Sequence, residues 1–220
     1  MRIGLRSSVL LLALVLLAAA CGTSSQSSST GGSTSSTRSA TPSPSTPTGF
    51  EGVPLQRGPA LAPAGSTQTG TVDGVQCLGT EQLVYHVHAH LAVYDRGAPR
   101  ALPAGVGIPG SVVQQTGQGP VAAGGKCIYW LHTHTSDGVI HIESPTRRIY
   151  TLGDLFDEWH QPLSPSRVAV MAGKVTAFVN GKPWTRDPRS IPLTPHAVIQ
   201  LDVGAPVVGA QPMSWSQTQL

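Results

Sequence analysis

Six of the eight histidines in this 220-residue chain fall in two short runs, Tyr85–Leu91 (YHVHAHL) and Trp130–Glu143 (WLHTHTSDGVIHIE). Neutral imidazole offers a ring-nitrogen lone pair and is the commonest side-chain ligand for zinc, copper, nickel and iron. Within the runs the histidines recur at every second residue: His86, His88 and His90, then His132 and His134, with His141 two residues before Glu143. Alternate residues of a β-strand face the same side, so each set lines one face of an extended segment. The opposite face reads apolar, with Leu83, Tyr85, Val87, Ala89, Leu91 and Val93 in the first run and Tyr129 and Leu131 in the second. Thr135-Ser136-Asp137-Gly138 has the composition of a turn. With those four residues as a hairpin loop, His134 opposes Val139, His132 opposes His141 and Trp130 opposes Glu143. Opposed residues share a face, with Cβ atoms about 5 Å apart. The imidazoles and Glu143 therefore gather on one face, and Leu131, Ile140 and Ile142 on the other. His86 and His90 are separated by about 13 Å along a strand, too far to share one ion easily. Either His88 pairs with one neighbour or the face holds two ions. The cluster expected at a metal is His88, His90, His132, His134 and His141, with His86 and Glu143 as additional or supporting ligands.

Such a set suits a divalent transition metal, zinc slightly ahead of copper(II). Met171 and Met213 lie far in sequence from the histidines, which disfavours a soft copper(I) site. A three-imidazole zinc with an open position can activate water, and Glu143 is then the candidate base. The sequence nevertheless carries no nucleophile–base pair, phosphate loop or cofactor fingerprint, so no catalytic residue is assigned. Metal capture, buffering or sensing is the expected role. A metal-dependent enzyme and a partner-docking sheet face are the rivals, together with a pH-sensitive histidine surface. His160, after a helix, and His196, before a strand, read as structural.

The N-terminus carries Arg2 and Arg6 ahead of an apolar run, Val9–Leu17, that is too short to span a bilayer. Residues 1–20 read as a signal peptide. Ala18-Ala19-Ala20-Cys21 resembles the lipobox of bacterial lipoproteins, although Ala18 stands where Leu is usual. The resemblance implies lipidation of Cys21 and anchoring to the outer face of the cell membrane. An ordinary secretory signal with an incidental Cys is the other reading. Residues 21–74 begin as a Ser/Thr/Gly/Pro tract that cannot offset its ordering entropy, and they read as a flexible tether and lead-in. Removing Arg2 and Arg6 from the 14 basic residues leaves 12 against 11 acidic ones, so a nucleic-acid partner is not expected. Of the remaining cysteines, Cys77 and Cys127 most simply form a disulfide in an exported protein. One or both thiolates as metal ligands is the competing possibility.

These residues need elements to position them. A domain is expected over 75–204, with 205–220 as a C-terminal tail. Its strands are Leu83–Tyr94, Lys126–His134, Val139–Glu143, Val175–Val179, Lys182–Trp184 and Ala197–Val203, with Ala101–Ile108 and Val112–Gln115 as shorter extended pieces. Thr151 with Asp154 three residues on has the shape of a capping box, and Leu152, Leu155, Phe156 and Trp159 repeat at helical spacing. Asn180-Gly181 is a strong hairpin signal. From residue 126 on, the order strand, strand, helix, hairpin, strand resembles the α+β β-grasp fold of ubiquitin-like domains. That resemblance implies a helix across the Leu131/Ile140/Ile142 face, an uncovered imidazole face, and Leu83–Tyr94 as an added strand or hairpin. An all-β sandwich or cupin-like barrel is the alternative. The HxHxHL, WLHTH and GxIHxE segments also resemble those of a family of exported bacterial and archaeal proteins, which implies no particular activity.

Overall fold

The first histidine run forms the strand on which the main sheet is built. In a computed structural model that describes residues 47–66 and 68–220, β1 (Tyr85–Asp95) turns through Arg96-Gly97 into β2 (Ala98–Arg100), both turn residues having positive φ. The sheet continues with β3 (Leu131–His132), β4 (Val139–Ser144), β5 (Val175–Val179), β6 (Lys182–Trp184) and β7 (Ala197–Val203). Its seven strands lie in the order β6-β5-β7-β1-β4-β3, with β2 paired to the end of β1. β7 runs parallel to β1, and the other pairs are antiparallel. Smaller sheets surround this one, and the described residues contain one α-helix, α1 (Leu152–Glu158). The protein is thus mostly β. The expected signal peptide, Cys21 and most of the expected Ser/Thr tether lie outside the described residues.

One core accounts for the arrangement. Ala89, Leu91 and Val93 of β1, Leu131, Ile140 and Ile142 of the hairpin, and Ile199 and Leu201 of β7 are all buried in one cluster with Leu152, Leu155, Phe156 and Trp159. The helix begins with the expected capping box: Asp154 N–H donates to Thr151 Oγ1 and Thr151 N–H to Asp154 Oδ2. The Asn180-Gly181 hairpin forms with Val179 opposite Lys182.

Four expectations about the strands differ from what the chain does. Leu83 and Val84 are exposed and precede β1, because the turn before Tyr85 leaves them off the sheet. The strand expected as an addition is central, since its apolar face enters the core between β7 and β4. Residues 101–108 are buried but not extended strand: Gly105 and Gly107 adopt positive φ and bend the segment against β3. Lys126–His134 is not one strand. Ile128–Tyr129 pairs with Val75–Leu78, where the Cys77–Cys127 disulfide (Cα–Cα 5.4 Å) ties the two segments, and only Leu131–His132 joins the main sheet.

The imidazole face is largely covered rather than open: His88, His132, His141 and Glu143 are buried, while His86 stays exposed. Val53, Leu61 and Ala62, from the stretch read as a lead-in, are buried, the last two in the main core. The chain after β7 also docks. Val208 N–H donates to Asp202 Oδ1, Gln211 N–H to Gln200 Oε1 and Trp215 Nε1–H to His196 O. Gln200 and Asp202 share the face of His90 by register and are buried beneath this segment. Near the C-terminus Gln219 N–H donates to Glu51 O, joining the two coverings above the histidines.

Candidate metal centre

Strand register sets the histidines in a row. On β1, His88 lies opposite His141 of β4, and His141 lies opposite His132 of β3, as the hairpin reading required. His86 lies opposite Glu143 in the next row. A central column, His141 and Glu143, is therefore flanked by a His-x-His pair on each side. The ring centroids of His88 and His132 lie 4.6 and 5.3 Å from that of His141.

The His132/His134 pair is held rigidly by the residue between its members. Thr133 is fully buried and makes four hydrogen bonds to the 103–106 segment. Its N–H donates to Val106 O and its carbonyl accepts from Gly105 N–H; its hydroxyl donates to Pro103 O and accepts from Val106 N–H. Gly107 permits this approach: a Cβ there would lie 2.1 Å from Leu131 O, and its φ is +70°.

The rings themselves are oriented from behind. His132 Nδ1–H donates to Tyr129 O (2.9 Å) and His134 Nδ1–H to Ala122 O (2.8 Å). A carbonyl only accepts, so each bond fixes the proton on Nδ1 and leaves Nε2 with its lone pair. Those two Nε2 atoms face each other at 3.2 Å. Two lone pairs cannot bond to one another. A tetrahedral zinc with bonds of about 2.0–2.1 Å sets its ligand atoms about 3.3–3.4 Å apart, so the separation suits one shared ion. Backbone carbonyls behind ligating imidazoles are the usual supporting arrangement.

Carboxylates complete the surroundings. Glu143 is buried, with Oε2 lacking any hydrogen-bond partner and lying 3.8 Å from His132 Nε2. Glu81 Oε1 approaches His134 Nε2 to 3.3 Å and His132 Nε2 to 3.9 Å. His141 donates through Nε2 to Glu51 Oε1 (2.6 Å) and faces Glu143 Oε1 through Nδ1 (3.3 Å). Burial opposes charge on His141, but hydrogen bonds to Glu143 and Glu51 raise it to about 9. Burial and the neighbouring His141 hold His132 well below the ordinary imidazole range, and His88 at about 3. Neutral His88 and His132 thus flank the imidazolium of His141, three carboxyl groups lie close by, and a buried oxygen of Glu143 lacks a donor. A bound cation would satisfy that oxygen.

Two overlapping sets offer ligand atoms within 4.8 Å of one another: His132, His134, His141 and Glu143, and His86, His88 and His141. His90 joins neither. Its Nε2–H donates to Asp137 O, and the ring borders a separate cavity with Gln56, Tyr94 and Arg100. Burial lowers it to about 4. Distance along β1 explains the separation, since Val139, not a histidine, stands opposite His90. Cys77 and Cys127 are consumed by their disulfide, so thiolate ligation does not occur. Sequence reasoning missed Glu51 and Glu81. Both come from segments read as lead-in or approach, and no spacing pattern links them to the histidine strands. A cavity of about 430 Å³, lined among others by Glu51, Glu81, His86, His134 and Leu220, opens over the cluster.

No family model matches the chain, and no solved structure matches it. Among curated proteins it is similar to Multicopper oxidase LPR1 homolog 5 of Oryza sativa subsp. japonica, with 31% identity over 114 residues. The match covers 49% of this chain and 17% of the rice protein, so the chain spans a minor part of that relative's length.

Proposed function

We propose that this protein is an exported metal-binding lipoprotein that holds a divalent transition metal, zinc or copper(II), at His132 and His134. Glu143 and Glu81 supply oxygen ligands, and His141 with Glu51 orients Glu143. The observation that carries the reading is the pair of Nε2 lone pairs converging at 3.2 Å, each ring pinned through Nδ1 to a backbone carbonyl. Similarity to a protein named as a multicopper oxidase adds weight to copper(II). A disulfide points to an oxidising environment, which supports export; no helix of the described residues is long and apolar enough to cross a membrane. Lipidation of Cys21 would supply the anchor. The strand order β4-β1-β7-β5-β6, with β1 parallel to β7 and α1 packed on one face, supports reading the core as β-grasp-like, with β1 and β4 as its first hairpin and residues 96–138 inserted between them.

Metal capture, buffering or sensing is the role such a site serves. The cavity over the cluster favours one further reading, a metal-dependent enzyme in which bound water faces that space. The test is elemental mass spectrometry on the full chain purified without chelator, with His132→Ala/His134→Ala beside it. At least one zinc or copper per chain, reduced by one in the variant, is the expected result. No metal above background, even after reconstitution with both ions, refutes the proposal.

A further inference from the structure

The β1 side of the cluster repeats the ring-nitrogen spacing of the His132/His134 pair. His86 Nε2 and His88 Nε2 approach to 3.0 Å, close to the 3.2 Å between His132 and His134. Each pair comes from one His-x-His segment, and His88 and His132 lie on either side of His141 in the sheet. Glu143 stands between them. Its Oε1 lies 3.1 Å from His86 Nε2, while its Oε2, buried and without a hydrogen-bond partner, turns toward His132 Nε2 at 3.8 Å. One ion cannot serve both pairs. The two sets whose ligand atoms converge within 4.8 Å share His141 and no other residue, and neither joins His86 or His88 to His132 or His134.

We infer that the cluster is a dinuclear centre, with a second divalent transition-metal ion held by His86 and His88 and Glu143 bridging the two ions through its separate oxygens. This rests on the reading of His132 and His134 as a metal site. A carboxylate with one oxygen toward each imidazole pair is the ligand such a centre requires, and paired ions in two-metal sites stand about 3.5–4 Å apart. The second position is the more accessible of the two. His86 is 39% exposed and borders the cavity above the cluster, whereas His132 is fully buried. The ion at His86 and His88 is therefore the one that exchanges with solvent first.

The experiment titrates the metal-free full chain with zinc(II) and, separately, copper(II), counting bound ions by elemental mass spectrometry. Copper-loaded samples are also examined by electron paramagnetic resonance. Two ions per chain are expected, with a copper signal whose integrated intensity falls well below two isolated ions because the pair is coupled. His86→Ala/His88→Ala should bind one ion and give the full signal of an isolated copper(II). His86→Ala alone, at an accessible position, repeats the test with little demand on folding, and a loss of at least tenfold in affinity for the second ion is expected there. Glu143→Gln should uncouple the two spins. One ion in the wild type, unchanged by the His86/His88 substitutions, overturns the dinuclear centre and leaves the His132/His134 site standing. Two ions retained in the His86/His88 variant overturn it as well. No ion in any form overturns both proposals together.

Discussion

Glu158, at the end of α1, is fully buried, and neither carboxyl oxygen has a hydrogen-bond partner. Burial, reinforced by Asp154 and Asp157, raises it well above its ordinary value of 4.5. The sign follows from proton counting. Above pH 4.5 the unfolded chain releases this proton while the folded chain keeps it, so stability is fully present below 4.5 and falls as pH rises toward the folded value. The slope is about 1.4 kcal/mol per pH unit for as long as the folded carboxyl keeps its proton, so Glu158 costs on the order of 2–3 kcal/mol at most between pH 5 and pH 7. Glu158→Gln keeps the shape of the protonated acid and cannot ionise. Urea unfolding of both proteins at pH 5 and pH 7, disulfide intact and chelator present, isolates the effect as a double difference in which all other titrations cancel. The glutamine variant is expected to gain on wild type as pH rises, the gap between them widening by on the order of 2–3 kcal/mol from pH 5 to pH 7. Parallel pH dependence in the two proteins would refute the argument, since it would mean that Glu158 ionises in the folded state as freely as in the unfolded one.

Two further predictions concern the metal centre. Thr133→Val removes the hydroxyl that bonds Pro103 O and Val106 N–H, leaving both groups buried without that partner. A loss of about 1–3 kcal/mol in thermal or urea unfolding is expected, with metal affinity falling by about tenfold, and Thr133→Ser should restore most of both. An unchanged metal affinity in the valine variant would show that the spacing of His132 and His134 does not depend on this clamp. Burial holds His88 and His132 below the ordinary imidazole range, so protons compete weakly for their lone pairs. Metal should consequently stay bound on dialysis at pH 5 and leave only at lower pH, followed by elemental analysis; half-release near pH 6.5, where ordinary imidazoles charge, would contradict it.

Much of the candidate site was legible because strand periodicity is a local rule. His-x-His spacing on both runs, and a turn at Thr135–Gly138, were enough to set His132 opposite His141 and to place Glu143 on the same face. The capping box at Thr151, the apolar stripe through Trp159 and the Asn180-Gly181 hairpin were local signals of the same kind. None of these requires knowledge of what lies across the sheet.

The sequence by itself determined that there would be an imidazole face and an apolar face and which two histidine runs would carry them, and it made Cys77–Cys127 the simplest pairing. Tertiary structure alone decided that β1 is central, that His90 stands apart from its two neighbours, and that Glu51 and Glu81 reach the cluster. It also decided that Glu51 and the C-terminal segment lie over the histidines, and that Leu61 and Ala62 enter the core, instead of trailing from the domain. The physical reason is the range of the interactions. Side-chain alternation and capping act over a few residues, whereas Glu51 meets His141 across 90 residues, through a contact that exists only once the sheet has assembled and its polar face has been covered.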